Sequence, residues 1–157
     1  MTDDVFDERG YGEMILVDES LIILDIDLRS KEEVIEKIAD TLDASRRLND
    51  RLQFIHDVLE REEIISTCIG DQIVIPHARS GSVRTASLVY LRLKQSVDWN
   101  ASEQAKYIFN IAVPDVNDEN EHLVILSSVA RRLLDETRRS IYFHSTSKKA
   151  IVSALLQ

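Results

Sequence analysis

The sequence predicts an α/β fold: a central mixed β-sheet flanked by helices on both faces, built as a single domain. Three observations lead to this prediction. The chain has 157 residues, which suits one domain of ordinary size. Strand-like and helix-like apolar patterns are interleaved along it, an order typical of a sheet between helical layers. Only four glycines and two prolines occur, and no linker-like stretch or internal repeat divides the chain.

The first half of the chain predicts one strand and two helices. Residues 1–13 are acidic and are expected to fray or to lie on the surface, which leaves residues 14–157 as the folded domain. Residues 22–28 alternate like a strand, and Ser30 with Glu33 forms a capping box for the helix that follows. The inner face of this helix is predicted to be Val34, Ile35, Ile38, Ala39 and Leu42. A second helix is expected to begin near residues 49–50 and to bury Leu52, Ile55, Val58 and Leu59.

The second half predicts three strands and two helices. Residues 73–75, 86–93 and 107–113 are apolar and rich in β-branched or aromatic side chains, as in strands. Residues 118–135 and 147–156 are predicted helices, and His122 lies in the first turn of the former. The apolar face of that longer helix is predicted to be Leu123, Leu126, Val129, Ala130 and Leu133. The basic pairs at 46–47, 131–132 and 138–139 are interpreted as solvated helix faces.

Composition excludes several classes of protein. Hydrophobic residues make up 44% and charged residues 30% of the chain, and no apolar run approaches the roughly 20 residues that span a bilayer. The net charge of −9 disfavours nucleic-acid binding, which normally requires clustered Lys and Arg. The N-terminal residues lack the basic and apolar regions of a secretory signal, so we expect a cytoplasmic protein with no direct membrane insertion. The single cysteine, Cys68, is assigned to packing.

One histidine stands where a rigid element would present it. The apolar run of residues 73–75 ends at Pro76, which cannot continue a central strand, and His77 follows. We therefore place His77 at a strand end. A neutral imidazole there can act as a base, a metal ligand or a nucleophile. A Pro-His pair alone, however, is also common in ordinary loops.

Several motifs around this histidine occur in a recognisable order. Arg61-Glu62-Glu63, Ser66-Thr67, Ile69-Gly70 and the segment ending in Pro76-His77-Ala78 resemble the motif of IIA domains of the mannitol/fructose type. These domains belong to the bacterial phosphoenolpyruvate-dependent sugar phosphotransferase system. His122-Leu123 lies in the later helix, where family members carry a second histidine. Departures from the family pattern are Val74, Cys68 and the turn at residues 101–104, which concern packing and a turn.

The resemblance implies a phosphoryl carrier that needs no metal and no cofactor. The histidine protein HPr would phosphorylate His77, and His77 would pass the group to a cysteine of a cognate IIB domain, serving the membrane IIC domain indirectly. Nε2 of His77 is implied as the attacking atom, with Arg61 and His122 stabilising charge on the phosphoryl oxygens. Ser66 or Thr67 is expected to add a hydroxyl donor.

Other interpretations of the same residues stay open. A regulatory, nitrogen-type IIA protein would use the same phosphohistidine to control partner proteins. A metal hydrolase could use His77, His122 and a carboxylate such as Asp71, although no His-x-x-x-His unit supplies adjacent ligands. Taken singly, Arg61 and His122 also fit solvated helix positions, and the Ser66 and Thr67 hydroxyls fit the backbone of a turn.

Overall fold

The computed structural model describes residues 3–4, 16–115 and 119–156, and these residues form one eight-stranded sheet with five α-helices. The strands are β1 (Asp3–Asp4), β2 (Leu16–Val17), β3 (Ile22–Ile26), β4 (Cys68–Gly70), β5 (Ile73–Val74), β6 (His77–Ser80), β7 (Ser87–Asp98) and β8 (Gln104–Pro114). The helices are α1 (Lys31–Ala44), α2 (Arg51–Ile64), α3 (Glu119–Leu134), α4 (Glu136–His144) and α5 (Lys148–Leu156). A short 3-10 helix, Glu19–Leu21, precedes β3.

The sheet is mixed, as predicted. Its order is β1-β2-β7-β8-β5-β4, with β3 also beside β7 and β6 also beside β8. The antiparallel hairpin of β7 and β8 forms the centre, whereas β3 runs parallel to β7, and β5 and β6 run parallel to β8.

Helices cover both faces of this sheet, which confirms the predicted layers. Alternate residues of a strand point to opposite faces, and along β8 they join two separate cores. Ile108 and Ala112 pack with α1 and α2, whereas Phe109 and Ile111 pack with α3, α4 and α5. The ring of Phe109 stacks on Tyr90 of β7 with a centroid distance of 4.5 Å.

The first helix follows the sequence prediction closely. The Ser30 hydroxyl accepts a hydrogen bond from the Glu33 backbone N–H at 3.1 Å. The Glu33 carboxylate reaches back to the Arg29 N–H at 3.1 Å, one residue earlier than the usual capping box. All five predicted inner residues of α1 are fully buried. Local capping and apolar periodicity agree here, so the helix could be predicted from its own residues.

The buried face of α2 differs from the prediction. Leu52 was expected inside but is 73% exposed, while Ile55 and Leu59 are only partly buried. The residues that α2 buries completely, or almost so, are Phe54, Val58 and Glu62. Their spacing of four residues places them on one side of the helix.

The sequence also did not predict strands β1, β2, β4 and β6, the 3-10 helix Glu19–Leu21 or helix α4, and β1 lies within the segment that was expected to fray or to lie on the surface. The solvated interpretation of the basic pairs is wrong for Arg47, which is 9% exposed and pairs with Asp18 at 3.2 Å. In α3, Val129 and Leu133 are buried, whereas the predictions for the side chains of residues 119–126 lie outside the described residues. Among the helices that the structure describes, none has the length and apolar character required to span a bilayer.

Candidate functional site

His77 is positioned by a two-residue break in the sheet. Strands β5 and β6 both pair in parallel with β8, Val74 opposite Ile108 and His77 opposite Ile111. Pro76 lies between them, and its carbonyl oxygen accepts from the Ile111 N–H at 3.2 Å and the Asn110 Nδ2 at 2.9 Å. The proline therefore interrupts the strand, and pairing with β8 resumes at the next residue. His77 is the first residue of β6 and therefore stands at a strand end, although the sequence did not predict the strand that begins there.

The imidazole of His77 is held by the backbone. Its Nδ1 donates a hydrogen bond to the carbonyl oxygen of Ile75 at 2.8 Å. Because a carbonyl can only accept, Nδ1 carries the hydrogen, and in the neutral ring the lone pair lies on Nε2. Burial lowers the pKa of His77 below its usual value, and the positive charge of Arg61 lowers it further. The hydrogen bond to Ile75 and the charge of Glu62 act in the opposite direction without reversing the shift. At neutral pH the ring is therefore neutral.

The imidazole borders an open cleft of about 710 Å³ between the C-terminal half of α2 and β6. The lining residues are Asp57, Glu60, Arg61, Ile64, His77, Ala78, Arg79, Ser80, Gly81 and Asp115. The structure thus brings together His77 and Arg61, two of the residues that the sequence singled out. Arg61 donates through one terminal guanidinium nitrogen to the carbonyl oxygen of Ile65 at 3.3 Å. The guanidinium has five N–H groups, so this contact leaves donors for an anion in the cleft.

Ser66 and Thr67 lie next to this region, but their hydroxyl hydrogens are engaged elsewhere. Ser66 donates to the Glu103 carboxylate at 3.2 Å, and Thr67 donates to the Glu62 carboxylate at 3.0 Å. Neither residue is among those that line the cleft. A phosphate contact from either hydroxyl would require an exchange of partner, and this role stays a prediction.

The second predicted histidine, His122, lies in the first turn of α3. Its side chain lies outside the described residues, so its role also stays a prediction. The carboxylate of Asp71 accepts from Arg139 of α4 at 2.7 Å and is not part of the cleft. Among the residues whose side chains the structure describes, no group of three or more His, Cys, Asp or Glu side chains is placed to hold a metal ion.

Sequence reasoning missed the contact that joins α2 to β6 at the floor of the cleft. Ser80 donates a short hydrogen bond to Asp57, and Ser82 in turn lies 2.7 Å from the Ser80 hydroxyl. Burial raises the pKa of Asp57, but hydrogen bonds from Ser80 and Gln53 outweigh it and hold that pKa below its usual value. One signal was available: Asp57 lies four residues before Arg61 and therefore on the same side of α2.

Comparison with known proteins agrees with this arrangement. Residues 15–157 match the model of the family described as phosphoenolpyruvate-dependent sugar phosphotransferase system, EIIA 2. The chain is 33% identical over 144 residues to the PTS system fructose-specific EIIABC component of Bacillus subtilis. That match covers 90% of this chain but only 22% of the relative, so the chain spans about a fifth of that protein's length.

Two further similarities concern proteins of nearly the same size as this one. The PTS system fructose-specific EIIA component of Haloferax volcanii is 32% identical over 139 residues, covering 87% of this chain and 90% of the relative. The crystal structure of nitrogen regulatory protein IIA-Ntr from Neisseria meningitidis has a TM-score of 0.80 at 26% identity, covering 91% of this chain and 97% of that chain. With the family model matching nearly the whole sequence, the chain belongs to the EIIA 2 family of the phosphoenolpyruvate-dependent sugar phosphotransferase system.

Proposed function

We propose that this protein is a phosphoryl carrier that uses His77 as its acceptor. Nε2 of His77 attacks the phosphorus of phospho-HPr, so that the N–P bond of the donor breaks as the new N–P bond forms. In the second step the thiolate of a IIB cysteine attacks the same phosphorus, and Nε2 leaves. The observation that carries the proposal is the 2.8 Å bond from Nδ1 to Ile75, because it gives Nε2 the lone pair at the border of an open cleft.

The surrounding charges support this chemistry. Phosphoryl transfer mainly requires alignment and stabilisation of charge on the phosphoryl oxygens. Arg61 lines the cleft beside His77 and can contact two oxygens at once. We assign Arg61 to that role, and we assign His122 to it from the family motif. Burial of His77 favours the neutral, nucleophilic ring.

Labelling tests the central assignment. The protein is incubated with labelled phosphoenolpyruvate, enzyme I and HPr, and we expect one acid-labile phosphoryl group per chain. His77→Ala should abolish labelling, whereas His56→Ala, which changes an exposed histidine of α2, serves as the matched control and should be labelled normally. Full labelling of His77→Ala would falsify the assignment.

The similarity to IIA-Ntr favours a second candidate function, in which phosphorylation of His77 regulates partner proteins. The carrier and the regulator share the first step and differ in the second. The phosphorylated protein is therefore offered to a panel of purified IIB domains. Rapid transfer to one of them supports the sugar-transport function, while a phosphoprotein that no IIB domain discharges supports the regulatory one.

A further inference from the structure

A buried acid lies behind the candidate site, next to Arg61 on α2. Glu62 is 7% exposed, and its Oε1 accepts hydrogen bonds from Trp99 Nε1 at 2.6 Å and from Thr67 Oγ1 at 3.0 Å. Its Oε2 is buried and has no hydrogen-bond partner within the described part of the chain. A carboxylate with only one of its two oxygens satisfied is costly to bury. Stability alone therefore does not explain an acid at this position.

Hydrogen bonds on both sides of Ile75 connect this acid to the reactive histidine. A carboxylate can only accept, so the Thr67 hydroxyl donates to Glu62 and presents its lone pairs elsewhere. The Ile75 N–H donates to that hydroxyl oxygen at 3.2 Å. The carbonyl of the same residue, Ile75, accepts from His77 Nδ1 at 2.8 Å. The N–H and the carbonyl of Ile75 belong to different peptide groups, so the connection through this residue fixes position and does not transmit polarisation.

The segment between β5 and β6 depends on these contacts because its own backbone offers few. Pro76 has no N–H, and it restricts Ile75 to extended conformations. The C-terminal residue of the segment, Pro76, is held by β8, because Asn110 and Ile111 donate hydrogen bonds to its carbonyl oxygen. The first residue of the segment, Ile75, is held by Thr67, whose hydroxyl and carbonyl oxygens both accept from the Ile75 N–H at 3.2 Å.

We propose that Glu62 is a positioning residue for His77, acting through Thr67 and the Ile75 backbone to hold the carbonyl that keeps Nδ1 protonated and so leaves the lone pair of the neutral ring on Nε2. Glu62 makes no contact with the transferred group in this proposal. That Nε2 is the reacting atom rests on the proposed function. The position of the hydrogen on Nδ1 does not rest on it, so the reaction and the tautomer can be tested separately.

Glu62 also acts on His77 through its charge. The charged groups around the imidazole are Asp57, Glu60, Arg61 and Glu62 on α2, Arg79 on β6, and Asp115 after β8. Of these, Arg61 lowers the pKa of His77 and Glu62 raises it. Positioning and charge can be separated by two substitutions. Thr67→Val removes the hydroxyl that connects Glu62 to the Ile75 N–H and keeps the charge of Glu62, leaving only the Thr67 carbonyl to accept from that N–H. Glu62→Gln removes the charge and keeps an acceptor for Thr67 and Trp99.

The experiment reads the ring nitrogens of His77 by NMR in the unphosphorylated protein across a pH titration. We expect the parent ring to be protonated on Nδ1 in its neutral form. Thr67→Val should give a mixture of both tautomers and a lower midpoint, because the bond to Ile75 raises the pKa of His77. Glu62→Gln should keep the tautomer and lower the midpoint. Phosphorylation by phospho-HPr should slow about ten- to a hundredfold in Thr67→Val, since misalignment of a reacting group costs rate.

Matched control variants distinguish a specific effect on the position of His77 from a general loss of stability. Glu63→Gln makes the same chemical change at the neighbouring, exposed position and should alter neither signal. Trp99→Phe removes the other donor to Glu62 and leaves the hydrogen bonds of the Thr67 hydroxyl with Glu62 and Ile75 intact. It should therefore lower stability without changing the tautomer. Thr67→Ser restores the hydroxyl and should restore both tautomer and rate. If Thr67→Val does not fold, Thr67→Ala is measured on the same signals.

Two outcomes overturn the proposal: a single Nδ1–H tautomer with a parent-like rate in the folded Thr67 variant, or a tautomer change as large in Trp99→Phe. The tautomer reading in each outcome does not depend on whether the parent protein is a phosphoryl carrier, whereas the rate does. If HPr does not label the parent protein, the proposed function fails while the tautomer measurement still decides the role of Glu62. If the parent is labelled and the tautomer never changes, only the role of Glu62 fails.

Discussion

At His77, a half-buried ring lies between two charges of opposite sign. Burial and Arg61 favour the neutral imidazole, while Glu62 favours the protonated one. A nucleophilic histidine must be neutral to react and yet basic enough to form a bond with phosphorus. The neighbouring residues 61 and 62 of one helix therefore act on the same group in opposite ways, one from the cleft and one from the buried side.

The lowered pKa of His77 predicts how the protein responds to acid. The NMR titration midpoint of His77 should lie below the usual value of about 6.5, and Arg61→Ala should raise it by removing a positive charge. In the unfolded chain His77 takes up its proton more readily than in the folded protein, so stability should rise with pH between the folded midpoint and about 6.5. Urea unfolding of the parent and His77→Gln proteins over this window measures the difference. A parent midpoint above 6.5 would contradict the prediction.

Arg61 provides the second prediction at this scale. Arg61→Ala should slow phosphorylation of His77 by a factor of about a hundred to a thousand, the usual effect of losing one preorganised charge-stabilising donor. Arg61→Lys should recover only part of the rate, because an ammonium cannot make the planar contact with two oxygens. Stopped-flow transfer from phospho-HPr measures both. Arg51→Ala, at the opposite end of α2, removes a surface pair with Asp40 and is the control, with circular dichroism as the check on folding.

At the scale of elements, the sequence predicted what is local and missed what depends on distant partners. Helix α1 has its cap and its apolar stripe within its own residues, so its bounds and buried face could be predicted. The stripe of α2 consists of Phe54, Val58 and Glu62. A charged residue occupies one of its three positions, so counting apolar residues led to Leu52 instead. Strand β6 was missed because Pro76 ends local strand propensity, although β8 supplies pairing on both sides of it.

The same distinction applies to the candidate site. His77 and Arg61 could be found from a motif, because both lie within one short stretch of sequence. The bond from Ser80 to Asp57 and the contact of Trp99 with Glu62 join residues far apart in the chain. Helix α4 was missed for a similar reason. It is polar and buries only Tyr142 fully, and a side chain from β7 stabilises its C-terminal end.

That side chain, Arg92, carries the prediction for the element scale. Its guanidinium donates to the carbonyl oxygens of Tyr142 at 3.0 Å and Ser145 at 2.8 Å, and it pairs with Asp25 through two bonds of 2.9 and 3.0 Å. Arg92→Met keeps most of the volume. It removes the Arg92 donor from the carbonyl of Ser145, leaves the carbonyl of Tyr142 with Tyr90 as its side-chain donor, and breaks the pair with Asp25, so we expect a loss of about 2 kcal/mol in unfolding free energy. Urea denaturation measures it. Arg51→Ala removes an exposed pair and should cost less than about 1 kcal/mol; equal losses would show that Arg92 has no special role.

For the whole molecule, the decisive feature is that the site lies where both helical layers meet one end of the sheet. Along β6, His77 is in register with Ile111 of the core under α3, α4 and α5, whereas Ala78 is in register with Ala112 of the core under α1 and α2. Ser80, on the same side as Ala78, bonds to α2. Strand β6 therefore presents site residues toward both faces of the sheet. The cleft beside it opens to solvent next to Ile64, which is 75% exposed.

This geometry predicts that phosphoryl donor and acceptor compete for one surface. HPr and a IIB domain must each bring a reacting atom to Nε2 of His77, and the cleft between α2 and β6 offers one approach. In NMR titrations, saturating one partner should therefore displace the other. Ile64→Ser should weaken both partners by roughly the same factor, about fivefold or more, since exposed apolar side chains at the centre of an interface often contribute over 1 kcal/mol. Leu134→Ser, at the far end of α3 from His122 and 61% exposed, should weaken neither. A ternary complex in which both partners stay bound would show that they use separate surfaces, and transfer would then need a movement of His77 that its bond to Ile75 opposes.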